Sequence, residues 1–208
     1  MFKRLWKLLP VETLHGYEHP ELVETVFRKT VAYEPTESWP DMDGVASVLD
    51  FGGACGRHYK EARRHSPTIR WAVVETPAMV TRAKELETQQ LKFFTDIGAA
   101  AAWLGSVDVM HSNGAVQYTT NPGDVIRELC ALRAERMIWL RLFVGIGERV
   151  TQVSRLDDNG PGRIWTTRKN VAYERTAISE AEFLDAHSDY KLTERGSDWF
   201  KFSISSAL

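Results

Sequence analysis

The stretch VLDFGGACGRHY, residues 48–59, holds the densest set of residues that could do chemistry. Asp50 closes an apolar run, and Gly52, Gly53 and Gly56 follow it, with Ala54 among them. Glycine is needed where the backbone takes a positive φ or comes close to a ligand. A helix that starts just beyond such a turn points free N–H groups at an anionic group. The same residues also suit a tight strand-to-helix turn that binds nothing. Glu75 ends the next apolar run, about twenty residues on, where a carboxylate can accept hydrogen bonds from both ribose hydroxyls of a nucleotide. Asp96, in FFTDIG, follows a third run and is placed for an adenine amino group. Each acid alone fits a turn or a helix start. Three in succession, each just past a strand, form a pattern. The glycines run G-G-A-C-G, not the G-x-G-x-x-G of dinucleotide sites, so a nicotinamide-dependent oxidoreductase is the disfavoured alternative.

A second group lies in HSNGAVQYTTNP, residues 111–122. Gln117 and Tyr118 could face a substrate, or belong to a loop that leads into a helix at Pro122. His111 titrates near neutrality and could be a general base, but a hydrogen-bonded role at a strand end ranks above that. His15 and His19 have the i,i+4 spacing of metal ligands on a helix. Gly16 and Pro20 disfavour a helix there and no third ligand follows, so no metal is expected. Lys3, Arg4 and Lys7, interleaved with Leu5, Trp6, Leu8 and Leu9, could touch a membrane or a partner, though a solvated helix end ranks first.

These residues must be positioned by strands and helices in alternation. VASVLDF, IRWAVVE, LKFF, VDVMHS and RMIWLRLFV read as five buried strands, with YKLTER and WFKFSIS as two more. KEARRH reads as a helix, Thr76–Pro77 and Asn121–Pro122 open two further ones, and Ser179 with Glu182 forms a capping box for the last. Alternation of this kind predicts an α/β fold with a mostly parallel sheet. Only Gly196 and Ser197 separate the last two strands, which predicts an antiparallel hairpin. In such sheets ligands bind beyond the carboxyl ends of the strands. Residues 1–44 read as an N-terminal helical segment, apolar at Leu22, Val23, Val26, Phe27 and Val31, plus a connector; residues 45–208 read as the main domain. The long excursion 148–178 predicts a hairpin of VTQV against RIWTT around DDNGPG, serving as a substrate wall or lid.

Composition narrows the function classes. The chain has 208 residues, 43% of them apolar and 26% charged, which is ordinary for a globular domain and argues against disorder. Its net charge of −2 lacks the basic excess of a polyanion binder, so nucleic acid is an unlikely partner. The longest apolar stretch, Met137 to Gly147, is interrupted by Arg141 and too short to span a bilayer. The N-terminus is a poor signal peptide, and Cys55 and Cys130 read as reduced thiols, so a cytoplasmic protein is expected. The oligomeric state is not legible.

Asp50 before the turn matches the D-x-G-x-G-x-G style of class I S-adenosylmethionine-dependent methyltransferases, with Ala54 in place of the middle glycine. VLDFGG, WAVVE, LKFFTDI, VQYTTNP and ISEAEF resemble a family of bacterial enzymes of that class often associated with surface-polysaccharide assembly. The resemblance covers roughly residues 45–190. It implies a Rossmann-like fold with a seven-stranded, mostly parallel sheet and S-adenosylmethionine bound along the strand ends. The cofactor would lie against Asp50, Gly52, Gly53, Ala54, Gly56, Glu75, Asp96 and Ile97, with Ser112 and Asn113 at its methionine end. Gln117, Tyr118 and Arg141 would serve catalysis on a small-molecule or sugar acceptor. The family's fifth strand ends in Asp-Arg-Thr-Pro; here the matching residues are Leu140, Arg141, Leu142 and Phe143, so only Arg141 is kept. An aromatic-rich stretch before the last helix keeps Tyr173. A non-catalytic module that retains the fold and binds the cofactor is the alternative from another class.

Overall fold

The computed structural model describes residues 11–36, 39, 43–162 and 168–205. The first half comprises β1 (Thr13–His15), α1 (Pro20–Ala32), β2 (Ser47–Phe51), α2 (Arg57–Ala62), β3 (Arg70–Val74), α3 (Pro77–Ala83), β4 (Leu91–Phe94) and α4 (Ile97–Leu104). The second half comprises β5 (Val109–Asn113), α5 (Pro122–Ala131), β6 (Arg136–Leu140), β7 (Arg149–Arg155) and β8 (Asn170–Thr176). It closes with α6 (Glu180–Ala186), β9 (Tyr190–Arg195) and β10 (Phe200–Ile204).

Seven strands form the central sheet in the order β4-β3-β2-β5-β6-β10-β9. β2 to β6 pair in parallel, and β10 runs antiparallel to both β6 and β9, the latter across a short link of residues 196–199. Both faces of the sheet are buried. Val48 and Val73 point into one apolar cluster with Leu22, Val26 and Met79; Leu49 and Val74 point into the other with Ala100, Leu129 and Phe183. Strict alternation sends neighbouring residues to opposite faces, so a strand covered twice must be apolar throughout. α1, α2 and α3 contribute to the first cluster, and α4, α5 and α6 to the second. Cys55 and Cys130 are buried free thiols, one in each cluster.

A second sheet of three strands, in the order β1-β8-β7, stands apart from the first. β7 pairs antiparallel with β8 from Arg149↔Thr176 to Arg155↔Asn170, and β1 lies parallel on the other side of β8. A hairpin outside the central sheet therefore exists, in which VTQV pairs with NVAYERT. NVAYERT places Val171 and Tyr173 on one face, which buries this sheet against the first apolar cluster. RIWTT, residues 163–167, and the basic stretch at residues 1–10 lie outside the described residues.

Other expectations are adjusted in detail. β6 stops at Leu140, short of the expected Val144, because Arg141 takes a φ of 51° and turns the chain. α2 begins at Arg57, earlier than KEARRH suggests, directly on Gly56. α4 has no counterpart in the sequence reading; its Ala-rich IGAAAAWL lacks polar periodicity, yet Asp96 caps it through a 2.7 Å bond from the Ala99 N–H. Ser179 caps α6 by accepting from the Glu182 N–H, as expected. His19 accepts from the Glu21 N–H at the start of α1, and His15 sits exposed in β1, so the pair is not presented on one helix. In the acidic connector, Trp39 is buried edge-on to Trp71, His58 and His111. Among the described residues no helix is long and apolar enough to cross a membrane.

Candidate functional site

A cleft of about 1080 Å³ opens at the carboxyl ends of β2, β3, β5 and β6. Gly52, Gly53, Ala54, Glu75 and Asn113 line one side, and Gln152, Ser154, Tyr173 and Arg175 of the three-stranded sheet line the other. Gln117, Tyr118 and Arg141 lie on the same surface. Two sheets thus face each other across a space large enough for a drug-sized ligand. A smaller pocket of about 210 Å³ between α5 and α6 contains none of the candidate cofactor-binding or catalytic residues.

The glycine turn is built by contacts within the protein itself. Gly52 takes a φ of 73°, and a side chain there would overlap the Ala115 methyl. A side chain at Gly53 would overlap the Asp50 carboxylate. Both glycines are therefore required by packing, whatever the cleft binds. Gly56, also left-handed, starts α2 and is buried below the cleft surface.

Asp50 does not reach the cleft. It is fully buried and accepts three N–H groups: Oδ1 from His111 Nδ1 at 2.7 Å, and Oδ2 from His58 Nδ1 and Trp71 Nε1, each at 3.2 Å. Burial alone would raise its carboxyl, but the two imidazoles outweigh that and hold it well below the usual carboxylate range. Burial pushes His111 down, against the pull of Asp50, so that ring is neutral near pH 7. Its Nε2 has no partner among the described residues and lies against the Trp39 ring. His111 is thus a core residue and not the general base the sequence allowed.

Glu75 stands at the cleft wall, as its strand-end position predicts. Its Oε1 accepts the Ala54 N–H at 3.0 Å and its Oε2 the Thr76 N–H at 2.8 Å. Burial raises its carboxyl, and these two backbone donors oppose the shift. The carboxylate therefore pins the turn at Ala54, whose φ is 51°, and keeps further lone pairs for a ligand.

Beyond β5, a 3-10 turn over Val116–Tyr118 presents Gln117 and Tyr118. Gln117 Nε2 donates to the Arg141 carbonyl at 3.0 Å, while its buried Oε1 has no partner among the described residues. Arg141 reaches back to Asn113, donating from Nε to Oδ1 at 2.6 Å and from Nη2 to the carbonyl at 3.2 Å. Tyr118 donates to Gln152 Oε1 at 3.0 Å. Its ring packs 5.1 Å from that of Tyr17 and 5.3 Å from that of Tyr173, which themselves stack at 4.5 Å between centroids. Burial pushes the Tyr17 and Tyr118 phenols up, so both stay protonated hydrogen-bonding groups.

The structure thus gathers Gly52, Gly53, Ala54, Glu75, Asn113, Gln117, Tyr118 and Arg141 on one cleft. Asp50, Gly56 and Ser112 are buried behind it, and Asp96 and Ile97 belong to the start of α4, away from its lining. Sequence reasoning missed Tyr17, His58, Gln152, Ser154 and Arg175, which also line the cleft. Tyr17, Gln152 and Arg175 carry no local signal, because only the pairing of β1, β7 and β8 brings them together. His58 had one: it lies in the first turn of the helix that follows the glycines.

No family model matches the chain, and no curated protein matches it. Solved structures do match. The sugar N-methyltransferase KedS8 from Streptoalloteichus sp ATCC 53650 superposes with a TM-score of 0.53 at 14% identity, over 89% of this chain and 87% of that one. DesVI of Streptomyces venezuelae gives 0.51 at 13% identity, over 91% and 92%. CalS10, an amino pentose methyltransferase from Micromonospora echinaspora, gives 0.51 at 14%, again over 91% and 92%. The chain spans 54% of the length of another match, the mitomycin 7-O-methyltransferase MmcR, with a TM-score of 0.48 at 14% identity. The strand order and the three superpositions with TM-scores above 0.5 define the fold as the Rossmann-like class I methyltransferase fold. At such identities the likeness reaches no further than the fold.

Proposed function

We propose that this chain is an S-adenosylmethionine-dependent methyltransferase acting on a small-molecule or sugar-type acceptor. The observation that carries the reading is the cleft at the carboxyl ends of β2, β3, β5 and β6, where open α/β sheets take their ligands. The residues present fit the cofactor. Glu75 offers free carboxylate lone pairs to ribose hydroxyls, the Gly52–Ala54 backbone leaves no side chain larger than a methyl in the way, and Asn113 stands further along the wall. When bound, S-adenosylmethionine supplies an electrophilic methyl group on a sulfonium.

The chain's own contribution is alignment and exclusion of water, which can supply most of the rate for a transfer with so good a leaving group. Gln117 Oε1 is a buried acceptor with no donor among the described residues, placed to receive a hydroxyl or amino N–H of the methyl acceptor. Arg141 holds Asn113 and, through its carbonyl, Gln117. Tyr118, tied to Gln152, joins the two sheets across the site. The names of KedS8 and CalS10 support a sugar acceptor, and the resemblance of VLDFGG and its neighbours supports an intermediate of surface-polysaccharide assembly. The N-terminal segment serves the main domain by lending Tyr17 to the acceptor wall.

Calorimetry with S-adenosylhomocysteine tests the cofactor, and transfer of labelled methyl to a panel of hydroxylated and amino sugars tests the reaction. A ligand at about 100 times its dissociation constant stabilises by roughly 2.7 kcal/mol, so the melting temperature should rise with S-adenosylhomocysteine and not with NAD. No shift at millimolar S-adenosylhomocysteine overturns the reading. Binding without transfer to any acceptor would favour the non-catalytic module.

A further inference from the structure

A methyl transfer to a hydroxyl needs somewhere for the proton to go. The cleft offers few candidates. Tyr17 and Tyr118 are held protonated by burial. Glu75 accepts two backbone N–H groups and gives its remaining lone pairs to the ribose in the reading above, and Asp158 and Asp198 sit exposed at the cleft margin. His58 differs from all of these. Its ring lines the cleft, with 14% of the side chain exposed, while Nδ1 faces the fully buried Asp50 at 3.2 Å.

An ionised carboxylate can only accept, so Nδ1 carries the hydrogen, and in the neutral imidazole the lone pair is left on Nε2. No described residue bonds that Nε2. Asp50 is itself fixed by Trp71 and His111 and cannot turn away. Trp39 and His111 pack edge-on to the His58 ring at 5.1 and 4.8 Å between centroids and limit its rotation. We propose that His58, oriented by Asp50, takes the proton from the acceptor hydroxyl; the proposal rests on the methyltransferase reading above. The new O–C bond forms as the S–C bond breaks, and the S–C electron pair neutralises the sulfonium to a thioether. The hydroxyl proton passes to Nε2, and the resulting imidazolium is stabilised by Asp50 until solvent removes the proton. Asp50, Trp71 and His111 are positioning residues.

Asp50, His58 and His111 also have the composition of a metal site, with ligand atoms all within 4.8 Å of one another. The hydrogen bonds argue for the dyad. A cation on His111 Nδ1 would force a hydrogen onto Nε2, in a buried position that has no acceptor among the described residues. Metal-bound imidazoles almost always have such an acceptor for their second nitrogen.

Long-range proton–nitrogen NMR on the labelled protein should find His58 protonated at Nδ1 and bare at Nε2. Diethyl pyrocarbonate should acylate His58 at least about tenfold faster than the enclosed His111, read by mass spectrometry. An Nε2–H tautomer at His58, preferential acylation of His111, or one equivalent of tightly bound zinc overturns the dyad. On any sugar that the wild type methylates, His58→Gln should lose about 10²–10⁴ in turnover, and added imidazole should partly rescue His58→Ala. S-adenosylhomocysteine affinity should stay within threefold in both. Undiminished turnover in a folded His58→Gln also overturns the proposal. If the wild type binds no S-adenosylhomocysteine, the methyltransferase reading fails, while the tautomer and acylation results still report on the dyad.

Discussion

Replacing Glu75 by alanine perturbs the turn and the cleft together, and the two effects separate in measurement. Its carboxylate accepts backbone N–H groups at 3.0 and 2.8 Å. Hydrogen bonds to a charged group contribute about 1.5–3 kcal/mol each. The raised pKa of Glu75 shows that burial of the charge outweighs these two bonds, so the cost of truncation lies in the backbone N–H groups left without their acceptor, about 1–3 kcal/mol. Ala54 borders the cleft, so water can reach its freed N–H. We therefore expect Glu75→Ala to cost about 2 kcal/mol, a fall of roughly 4–8 °C in melting temperature for a domain of this size. The ribose contact adds a separate loss: about ten- to a hundredfold in S-adenosylhomocysteine affinity, equivalent to ~1.4–2.8 kcal/mol. Glu75→Gln keeps one backbone bond through its carbonyl but sets its amide N–H against the other donor, so it should fall between. Thermal melts and calorimetry on the three proteins provide the assay. A lowered melting temperature with unchanged affinity would leave Glu75 as a turn brace and refute the ribose contact. No change in either would refute the reasoning as a whole.

Two further outcomes are expected. His187 donates from Nδ1 to the Phe183 carbonyl at 2.7 Å and accepts the Trp139 N–H on Nε2 at 2.9 Å, and burial pushes it down to about 4. The unfolded chain takes up this proton near pH 6.5 and the folded one only near 4, so about 3 kcal/mol of stability present above pH 6.5 is lost as the pH falls to 4; urea unfolding against pH should show this loss, and a His187→Gln variant with an unchanged pH slope would contradict it. Gly53→Ala should destabilise by about 1–3 kcal/mol through overlap with the Asp50 carboxylate, and an unchanged melting temperature would show that the buried hub around Asp50 yields more easily than its three hydrogen bonds imply.

The local pattern of the chain determined the central sheet. Short Val-rich apolar runs such as VLDF and WAVV, each followed by a turn signal, suit strands covered on both faces, and the link at residues 196–199 is too short to join strands in any way but antiparallel. Positions just past those strands placed Glu75 and Asn113 on the cleft for the same reason: the carboxyl ends of parallel strands share one edge. Long-range contacts decided the rest. Asp50 looked like a ligand to the cofactor, but Trp71, His58 and His111, from three other elements, draw its carboxylate inward. Asp96 has the spacing of an adenine contact, yet an Ala-rich helix with no polar face claims it as a cap. VTQV alternates without specifying what it pairs with; β8 lies beside it, with Val171 and Tyr173 buried on one face and β1 paired to its far edge. That pairing carries Tyr17, Gln152 and Arg175 to the cleft. Periodicity records how each segment meets solvent and core, whereas the identity of the neighbour depends on which surfaces of the whole chain can be buried together.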